Sequence, residues 1–161
     1  MILSATGHRP DKLVPTNPQA GCSSATLELL TDLAVTHLEL LDPELVISGM
    51  AQGWDTAVAL AAIELDIPLV TAEPFLGQAA KWPTPAQQLH ARILGEARVR
   101  YVISDGHYAP WKFQKRNEWM VDRCDRLLAL WNGTPGGTAN CMAYADKQQK
   151  PYDNLWAEWT A

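Results

Sequence analysis

The feature that most constrains the fold is an alternation, repeated five times, of a short apolar run and a longer amphipathic segment. The apolar runs are bounded by Gly, Pro or polar residues, as buried strands are. The longer segments carry apolar residues at spacings of three and four, which indicates helices. This pattern predicts an α/β fold, a three-layer sandwich whose mostly parallel central sheet has five or more strands and helices on both faces. The predicted strands are residues 2–6, 45–48, 67–72, 99–103 and 127–131, with a candidate short edge strand at 152–156.

Composition favours a globular protein of one domain. The 161 residues are 47% hydrophobic and 19% charged, which suffices for one core but not for two independent ones. We therefore predict a single domain over residues 1–161. The formal net charge of −5 disfavours a protein that holds nucleic acid by bulk electrostatics, although it leaves room for a small basic pocket.

Signals for targeting, membranes and metals are absent from the sequence. No N-terminal apolar run has a basic flank, and the longest apolar stretch, residues 57–63, is too short to span a bilayer. Three cysteines without a CxxC pair favour a reducing compartment, and the four histidines show no ligand spacing. We expect a cytoplasmic protein with no membrane partner, no metal site and no cofactor.

Three glycine-containing loops each follow a predicted strand and precede a predicted helix. Such loops lie at the carboxyl-terminal edge of a parallel sheet, where ligands of α/β proteins bind. In the loop at residues 132–140, Gly136 and Gly137 would let backbone N–H groups at a helix start approach an anion, and Thr138 adds a hydroxyl donor. This segment, which also contains Gly133, favours a phosphate site over an ordinary helix start.

The loop at residues 49–55 has small residues at Gly49, Ala51 and Gly53, which keep side chains away from a bound group. Asp55, in the first turn of the next helix, can accept hydrogen bonds from ribose hydroxyls or can simply stabilise the helix N-terminus. The spacing is similar to a dinucleotide-binding fingerprint but is not GxGxxG, so it is a weak signal by itself.

The third loop contains Thr6, Gly7, His8 and Arg9. Arg9 can bind a phosphate through two contacts, and His8 can donate or accept a proton near neutral pH. The alternatives are a surface salt bridge for Arg9 and a hydrogen-bonded loop histidine for His8. Asn117 lies on an otherwise apolar helix face, so a buried Asn117 needs a partner, either a neighbouring loop or a ligand.

Tryptophan is frequent, with seven residues, and most of them are expected in the core. Trp54, Trp82 and Trp111 follow loops of the predicted ligand edge, so one of them is a candidate to stack on a base. Trp156 and Trp159 are candidates to cover a dimer surface.

Five motifs occur in order along the chain: TGHRP at 6–10, SGMAQGWD at 48–55, PFxxQ at 74–78, NxxMVD at 117–122 and AxWxGxxGGTAN at 129–140. Together they resemble the YpsA-like branch of the SLOG superfamily, from residue 2 to about residue 145. That superfamily also contains the LOG cytokinin-activating phosphoribohydrolases and the DprA DNA-processing proteins. The resemblance implies a Rossmann-like fold and the binding of nucleotides or ADP-ribose-like signals. It implies a ligand role for Gly7, Arg9, Gly49, Gly53, Asp55, Gly136, Gly137 and Thr138, and the candidate site formed by the loops also includes Met50.

One departure from the superfamily concerns catalysis. LOG enzymes carry PGGxGTxxE, with a glutamate three residues after the threonine, whereas Cys141 stands three residues after Thr138 here. The acid that acts on the glycosidic bond in those enzymes is therefore missing from its place, and Asp55 is the only loop acid well placed to substitute. The helix dipole can lower the pKa of the Cys141 thiol, but a buried structural cysteine is the favoured interpretation.

Three hypotheses about function remain open from the sequence. The leading hypothesis is a protein that binds a nucleotide or ADP-ribose-like molecule and senses or sequesters it. The alternative is a nucleoside 5′-monophosphate N-glycosidase with a non-standard catalytic acid, and a structural partner protein that has kept the fold without a ligand is a third hypothesis. Whether the chain is an enzyme is left open. A homodimer is a further expectation, and nucleic acid is not an expected partner.

Overall fold

The computed structural model describes residues 1–161 and contains one six-stranded sheet. All neighbouring strands pair in parallel, in the order β4-β3-β2-β1-β5-β6. The predicted α/β class with a central parallel sheet is therefore confirmed. The strands are β1 Ile2–Gly7, β2 Leu45–Ser48, β3 Leu69–Glu73, β4 Val99–Val102, β5 Arg126–Leu130 and β6 Tyr152–Asn154.

Six α-helices connect or follow these strands. They are α1 Ser24–Leu41, α2 Trp54–Glu64, α3 Thr84–Glu96, α4 Pro110–Arg123, α5 Gly137–Lys147 and α6 Trp156–Trp159. The first helix begins where predicted, because the Ser23 hydroxyl accepts a hydrogen bond from the backbone N–H of Thr26 at 3.1 Å. None of the helices combines the length and the apolar character that crossing a membrane requires.

The helices form two outer layers around the sheet, and the two layers are unequal. On one face, buried residues of α1, α2 and α3 join the strands in a cluster of 20 buried residues. On the other face, α4 and α5 pack through two small clusters of 5 and 4 buried residues. Polar residues contribute to this difference, since the Ser4 hydroxyl in β1 donates to the backbone oxygen of Met120 in α4.

The segment between β1 and α1 contains 3₁₀ turns at Pro10–Lys12 and Pro18–Cys22. Proline begins both turns, since its fixed φ suits the first position of a helical turn. The edge strand expected at 152–156 ends at Asn154, because the Asn154 side-chain oxygen accepts the N–H of Trp156 and the short helix α6 begins there.

The strand order places a switch point between β1 and β5. The chain moves from β1 outwards through β2 and β3 to β4, and then returns across the sheet to β5 on the other side of β1. Loops that leave neighbouring strands in opposite directions diverge, and in open α/β sheets ligands bind in the crevice that results. The loops after β1, β2 and β5 all meet at this crevice.

Candidate functional site

A cavity of about 440 Å³ lies at the switch point. This edge cavity is lined by residues of four segments: residues 5–12, the loop and first turn of α2, residues 108–117 and the loop between β5 and α5. Its volume is within the range of small-molecule sites, about 300–1,000 Å³. Ten of the residues predicted from the sequence line it, namely Thr6, Gly7, His8, Arg9, Ala51, Asp55, Asn117, Gly136, Gly137 and Thr138.

Four predicted residues do not line the edge cavity. Met50 is completely buried in the core, and Gly133 is exposed but lies outside the lining. Gly49 and Gly53 are buried against the protein itself. A Cβ added at Gly49 would lie 2.7 Å from a guanidinium nitrogen of Arg116, and one added at Gly53 would lie 2.5 Å from the backbone oxygen of His8.

In the loop between β5 and α5, by contrast, Gly136 and Gly137 are exposed. Gly136 precedes the first turn of α5 and supplies no side-chain cap, so the N–H groups of that turn have no acceptor from this residue. Gly136 has φ +142°, which a residue with a side chain rarely adopts. A Cβ added at Gly137 would meet no atom within 4 Å. The glycines therefore leave the start of α5 open towards the edge cavity.

The loop after β1 is held from several sides. A Cβ added at Gly7 would lie 2.5 Å from the Trp54 side chain, so glycine is needed there for internal packing. His8 is buried, and its Nε2 lies 2.7 Å from the side-chain oxygen of Asn132 in the loop after β5. Burial lowers the pKa of His8, and its hydrogen bond with Asn132 partly opposes this shift. The hydrogen-bonded loop histidine is thus what the structure contains, and Arg9 beside it is exposed.

Asp55 and Arg116 are two buried ionisable side chains in the lining of the cavity. One Asp55 oxygen accepts the Ala51 N–H at 3.4 Å, while the other oxygen is buried without a hydrogen-bond partner. Burial raises the pKa of Asp55 to about 6, and the charge of Arg116 opposes this rise. Burial also lowers the pKa of Arg116. Both shifts disfavour the charged forms, so mutual attraction does not compensate for the loss of water around either group.

Arg116 is the residue that ties α4 to the sheet edge. Its guanidinium donates to the backbone oxygens of Gly49 and Ala72 and, through Nε, to the side chain of Asn117 at 3.0 Å. Asn117 thus has a partner within its own helix. The sequence shows Arg116 only as a polar residue next to Asn117, and nothing in the pattern indicates that it reaches back to the loop after β2.

Nine of the 19 lining residues are absent from the sequence prediction, among them Lys12, Tyr108 and Phe113. Lys12 reaches the loop after β5 from the first 3₁₀ turn, where Nζ lies 3.5 Å from the Thr134 hydroxyl and 3.4 Å from the Pro135 oxygen. Tyr108 and Phe113 form an aromatic wall on the α4 side. A basic residue three positions after Arg9 is a usable signal for Lys12, whereas an isolated Tyr in a polar loop gives none.

The expectation that a tryptophan lines the ligand edge is wrong. Trp54 is completely buried and donates its indole N–H to the backbone oxygen of Leu128 at 3.0 Å. Trp82 packs edge-on against His90, and Trp111 is exposed outside the cavity lining. A tryptophan that follows a loop can lie in the core or on the surface. Its position in the sequence does not decide between the two.

Trp156 and Trp159 contact their own chain. The Trp156 ring packs edge-on against His8 with centroids 5.6 Å apart, and the Trp159 indole N–H donates to the backbone oxygen of Leu13 at 2.9 Å.

Cys141 is buried, as favoured from the sequence, and burial raises the pKa of its thiol to about 11. The lowered pKa considered for a helix N-terminus is therefore wrong, because burial is the largest influence on this thiol.

The edge cavity combines three chemical environments. The open start of α5, with Arg9 and Lys12 nearby, suits an anion. The Asp55 carboxyl in the lining suits a hydroxyl or amino donor. The Tyr108–Phe113 wall suits a flat apolar group.

Comparison with known proteins agrees with the fold and defines the family. The sequence signature of YpsA, described as the YspA SLOG family, matches residues 3–157. The chain therefore belongs to the YpsA family of the SLOG superfamily. This confirms the resemblance found in the loop motifs.

Individual relatives and structures are more distant. The SPbeta prophage-derived protein YoqJ of Bacillus subtilis is 32% identical over 117 residues, 63% of this chain and 68% of that protein. The UPF0398 protein YpsA of Bacillus subtilis is 22% identical over 158 residues, 94% of this chain and 87% of that protein. DNA processing protein A (DprA) of Streptococcus pneumoniae has a TM-score of 0.64 at 16% identity and covers 93% of this chain. DprA of Helicobacter pylori has a TM-score of 0.64 at 17% identity and covers 94%. The chain spans 48% and 63% of those two DprA chains, so the likeness concerns the fold.

Proposed function

We propose that the edge cavity binds a nucleotide or an ADP-ribose-like molecule, and that the protein senses or sequesters it. The observation that carries the proposal is the loop between β5 and α5, where Gly136 and Gly137 leave the first turn of α5 open to the cavity. In this proposal the phosphate groups accept hydrogen bonds from the N–H groups of that turn and from the Thr138 hydroxyl.

Charges around the loop support an anionic ligand. Arg9 and Lys12 line the cavity near the open turn, and Arg116 also lines it. Arg9 is exposed and free to make a two-point contact with a phosphate, whereas Arg116 is committed to backbone oxygens. Asp11 and Asp55 also line the cavity, so it holds three basic and two acidic side chains, a small local excess of positive charge in a chain whose formal net charge is −5.

Asp55 supports a ligand with a sugar. Asp55 lines the cavity, and its carboxyl accepts only one hydrogen bond from the protein, from the N–H of Ala51. Ribose hydroxyls are donors of the required kind. A carboxylate that receives them regains part of the solvation that burial removed.

One structural neighbour binds a different kind of ligand, since the DprA of H. pylori has a single-stranded DNA binding mode. For this chain we favour the small molecule, because a cavity of about 440 Å³ matches a small ligand rather than a strand. A short single-stranded oligonucleotide therefore belongs in the binding test as a competitor, and we expect it not to displace the nucleotide.

The test is calorimetric titration with ADP-ribose, nucleoside diphosphates and nucleoside monophosphates. We expect wild type to bind at least one of them and Gly137→Val to lose that binding, because the new side chain occupies the space of the phosphate. Gly95→Val is the matched control, since Gly95 in α3 also has no atom within 4 Å of an added Cβ and lies away from the cavity. Circular dichroism checks that both variants fold.

Two results contradict the proposal. If Gly137→Val binds as tightly as wild type, the loop does not hold the phosphate. If wild type binds none of these molecules but binds the oligonucleotide, the edge cavity serves nucleic acid instead.

The alternative function, nucleoside 5′-monophosphate N-glycosidase, is favoured by one observation. Asp55 is a cavity carboxyl whose pKa is raised to about 6, so it is partly protonated near neutral pH. In such a reaction protonated Asp55 gives its proton to the leaving base as the bond between C1′ and the base nitrogen breaks. The Asp55 carboxylate formed in this step stabilises the oxocarbenium-like state, and water then attacks C1′ and returns a proton to Asp55, which gives ribose 5-phosphate.

Incubation with adenosine monophosphate followed by chromatography separates the two functions. We expect no release of free adenine at ordinary enzymic rates, above about 1 per second. Release at such a rate that is lost in Asp55→Asn would establish the glycosidase and overturn the binding-protein proposal.

A further inference from the structure

The wall of the edge cavity on the α4 side is aromatic. Tyr108, in the loop between β4 and α4, lines the cavity and is 68% exposed. Phe113, in the first turn of α4, lines the same side. Phe75, which follows β3, is buried and contacts both rings.

The three rings fix one another by edge contacts. Centroids of Phe75 and Tyr108 lie 5.9 Å apart with an interplanar angle of 88°. Those of Tyr108 and Phe113 lie 6.0 Å apart at 63°, and those of Phe75 and Phe113 lie 5.5 Å apart at 88°. None of these pairs is stacked face to face. Tyr108 is therefore held in place by two neighbours while most of its own surface stays exposed.

A ring held in this way is suited to receive another ring. Edge contacts with Phe75 and Phe113 limit the rotation of Tyr108 before any ligand arrives, so stacking on it costs less conformational entropy than on a free surface tyrosine. Trp111 offers a contrast in the same region. It is 58% exposed but does not line the cavity, and its indole contacts the ammonium groups of Lys112 and Lys115.

The aromatic wall also adjoins the basic part of the cavity. The Arg9 guanidinium carbon lies 5.4 Å from the Phe113 centroid. A ligand that places phosphate near Arg9 thus has an aromatic surface within a few ångströms. This arrangement matches a molecule with an anionic group at one end and a flat aromatic group at the other.

We infer that the nucleobase of the ligand stacks on Tyr108, with Phe113 beside it, and that this contact makes the protein select nucleotides over base-free sugar phosphates and pyrophosphate. The inference rests on the proposed function, because it assumes that phosphate binds at the start of α5. It assigns Tyr108 as the residue that determines specificity for the base.

The experiment compares ADP with pyrophosphate and ribose 5-phosphate in calorimetric titrations of wild type, Tyr108→Ala, Tyr108→Phe and Trp111→Ala. Stacking of a base on an aromatic side chain corresponds to roughly a 5- to 150-fold change in affinity. We expect Tyr108→Ala to lose ADP affinity by a factor in that range and to bind pyrophosphate and ribose 5-phosphate within twofold of wild type. Tyr108→Phe keeps the ring and retains ADP affinity, and Trp111→Ala is unchanged for all three ligands.

Different failures are distinguishable. If wild type binds pyrophosphate as tightly as ADP, or if Tyr108→Ala binds ADP like wild type, the base does not lie on Tyr108, although the phosphate proposal stands. If Tyr108→Ala weakens ADP and pyrophosphate equally, Tyr108 only shapes the cavity, and the inference is wrong. If wild type binds none of the three, the inference fails, and the titrations with ADP-ribose and nucleoside monophosphates then decide the proposed function. Thermal melting confirms that each variant is folded.

Discussion

Two glycine loops of this protein look alike in the sequence and differ in the structure. The loop between β2 and α2 and the loop between β5 and α5 each follow a strand, contain spaced glycines and precede a helix. In the first, Gly49 and Gly53 are buried against Arg116 and the His8 backbone. In the second, Gly136 and Gly137 are exposed with no protein backbone close to them. Spaced glycines therefore predict a close approach, but not whether protein or ligand approaches.

The largest expected effect tests the internal role of the first loop. Gly53 has φ +89° and Gly133, in the second loop, has φ +87°, so alanine brings backbone strain at both positions. Only at Gly53 does the added Cβ also meet a backbone oxygen, at 2.5 Å. We expect Gly53→Ala to lower the free energy of unfolding by more than about 3 kcal/mol and Gly133→Ala by about 1–2 kcal/mol. Urea denaturation measures both, and equal losses would remove the distinction between the loops.

The second prediction concerns the carboxyl of Asp55, which follows the first loop and lines the cavity. Its folded pKa of about 6 exceeds the ordinary 3.8, so the folded protein binds this proton more tightly than the unfolded chain does. The contribution of Asp55 to stability is therefore full below about pH 4 and is lost as the pH rises through about 6. Across this interval we expect wild type to lose up to about 3 kcal/mol relative to Asp55→Asn. Denaturation of both proteins at pH 4 to 8 measures the difference, and a constant difference would contradict the raised pKa.

Arg9 tests the second loop as an anion site. Arg9→Ala removes a charged donor next to the open turn of α5, so we expect the affinity for ADP-ribose to fall by about 1.5–3 kcal/mol, roughly 10- to 150-fold. Arg9→Lys restores only part of it, because an ammonium does not make the two-point contact. Titration calorimetry measures all three proteins. Equal affinities would mean that the exposed loop is open for a reason other than phosphate.

Lys12 gives the smallest expected effect. Its Nζ lies 3.4–3.5 Å from oxygen atoms of the second loop. Charged contacts at the surface contribute less than about 1 kcal/mol to stability or binding. We expect Lys12→Ala to weaken ADP-ribose binding by no more than about fivefold, with the difference shrinking at high salt. A loss as large as that of Arg9→Ala would mean that Lys12, and not Arg9, is the main cation of the site.

Much of the fold follows from local patterns in the sequence. Five strands and the helices between them are predictable, because apolar periodicity and caps such as Ser23 are local properties. The sheet order is not local, and neither is the contact of Arg116 in α4 with the loop after β2. Helix α6 escapes prediction because its four residues are too few to show a period.

The candidate site is likewise predictable only where it depends on local sequence. Residues next to glycine loops, such as Arg9 and Asp55, can be predicted because strand ends share one sheet edge. Tyr108 and Phe113 lie after β4, far from the switch point in strand order, and reach the cavity only because α4 crosses back over the sheet. No spacing within the chain carries that information.

The unequal packing of the two sheet faces has a consequence for motion. The face under α1, α2 and α3 holds a cluster of 20 buried residues, whereas α4 and α5 rest on clusters of 5 and 4. Local opening costs less where fewer apolar contacts are lost. Backbone amides of α4 and α5 should therefore exchange with deuterium sooner than those of α1 and α2. The start of α5 and Tyr108, the two candidate binding surfaces, both lie on this less densely packed side. A molecule that contacts both would slow the exchange of α4 and α5 and stabilise the part of the protein that opens most readily.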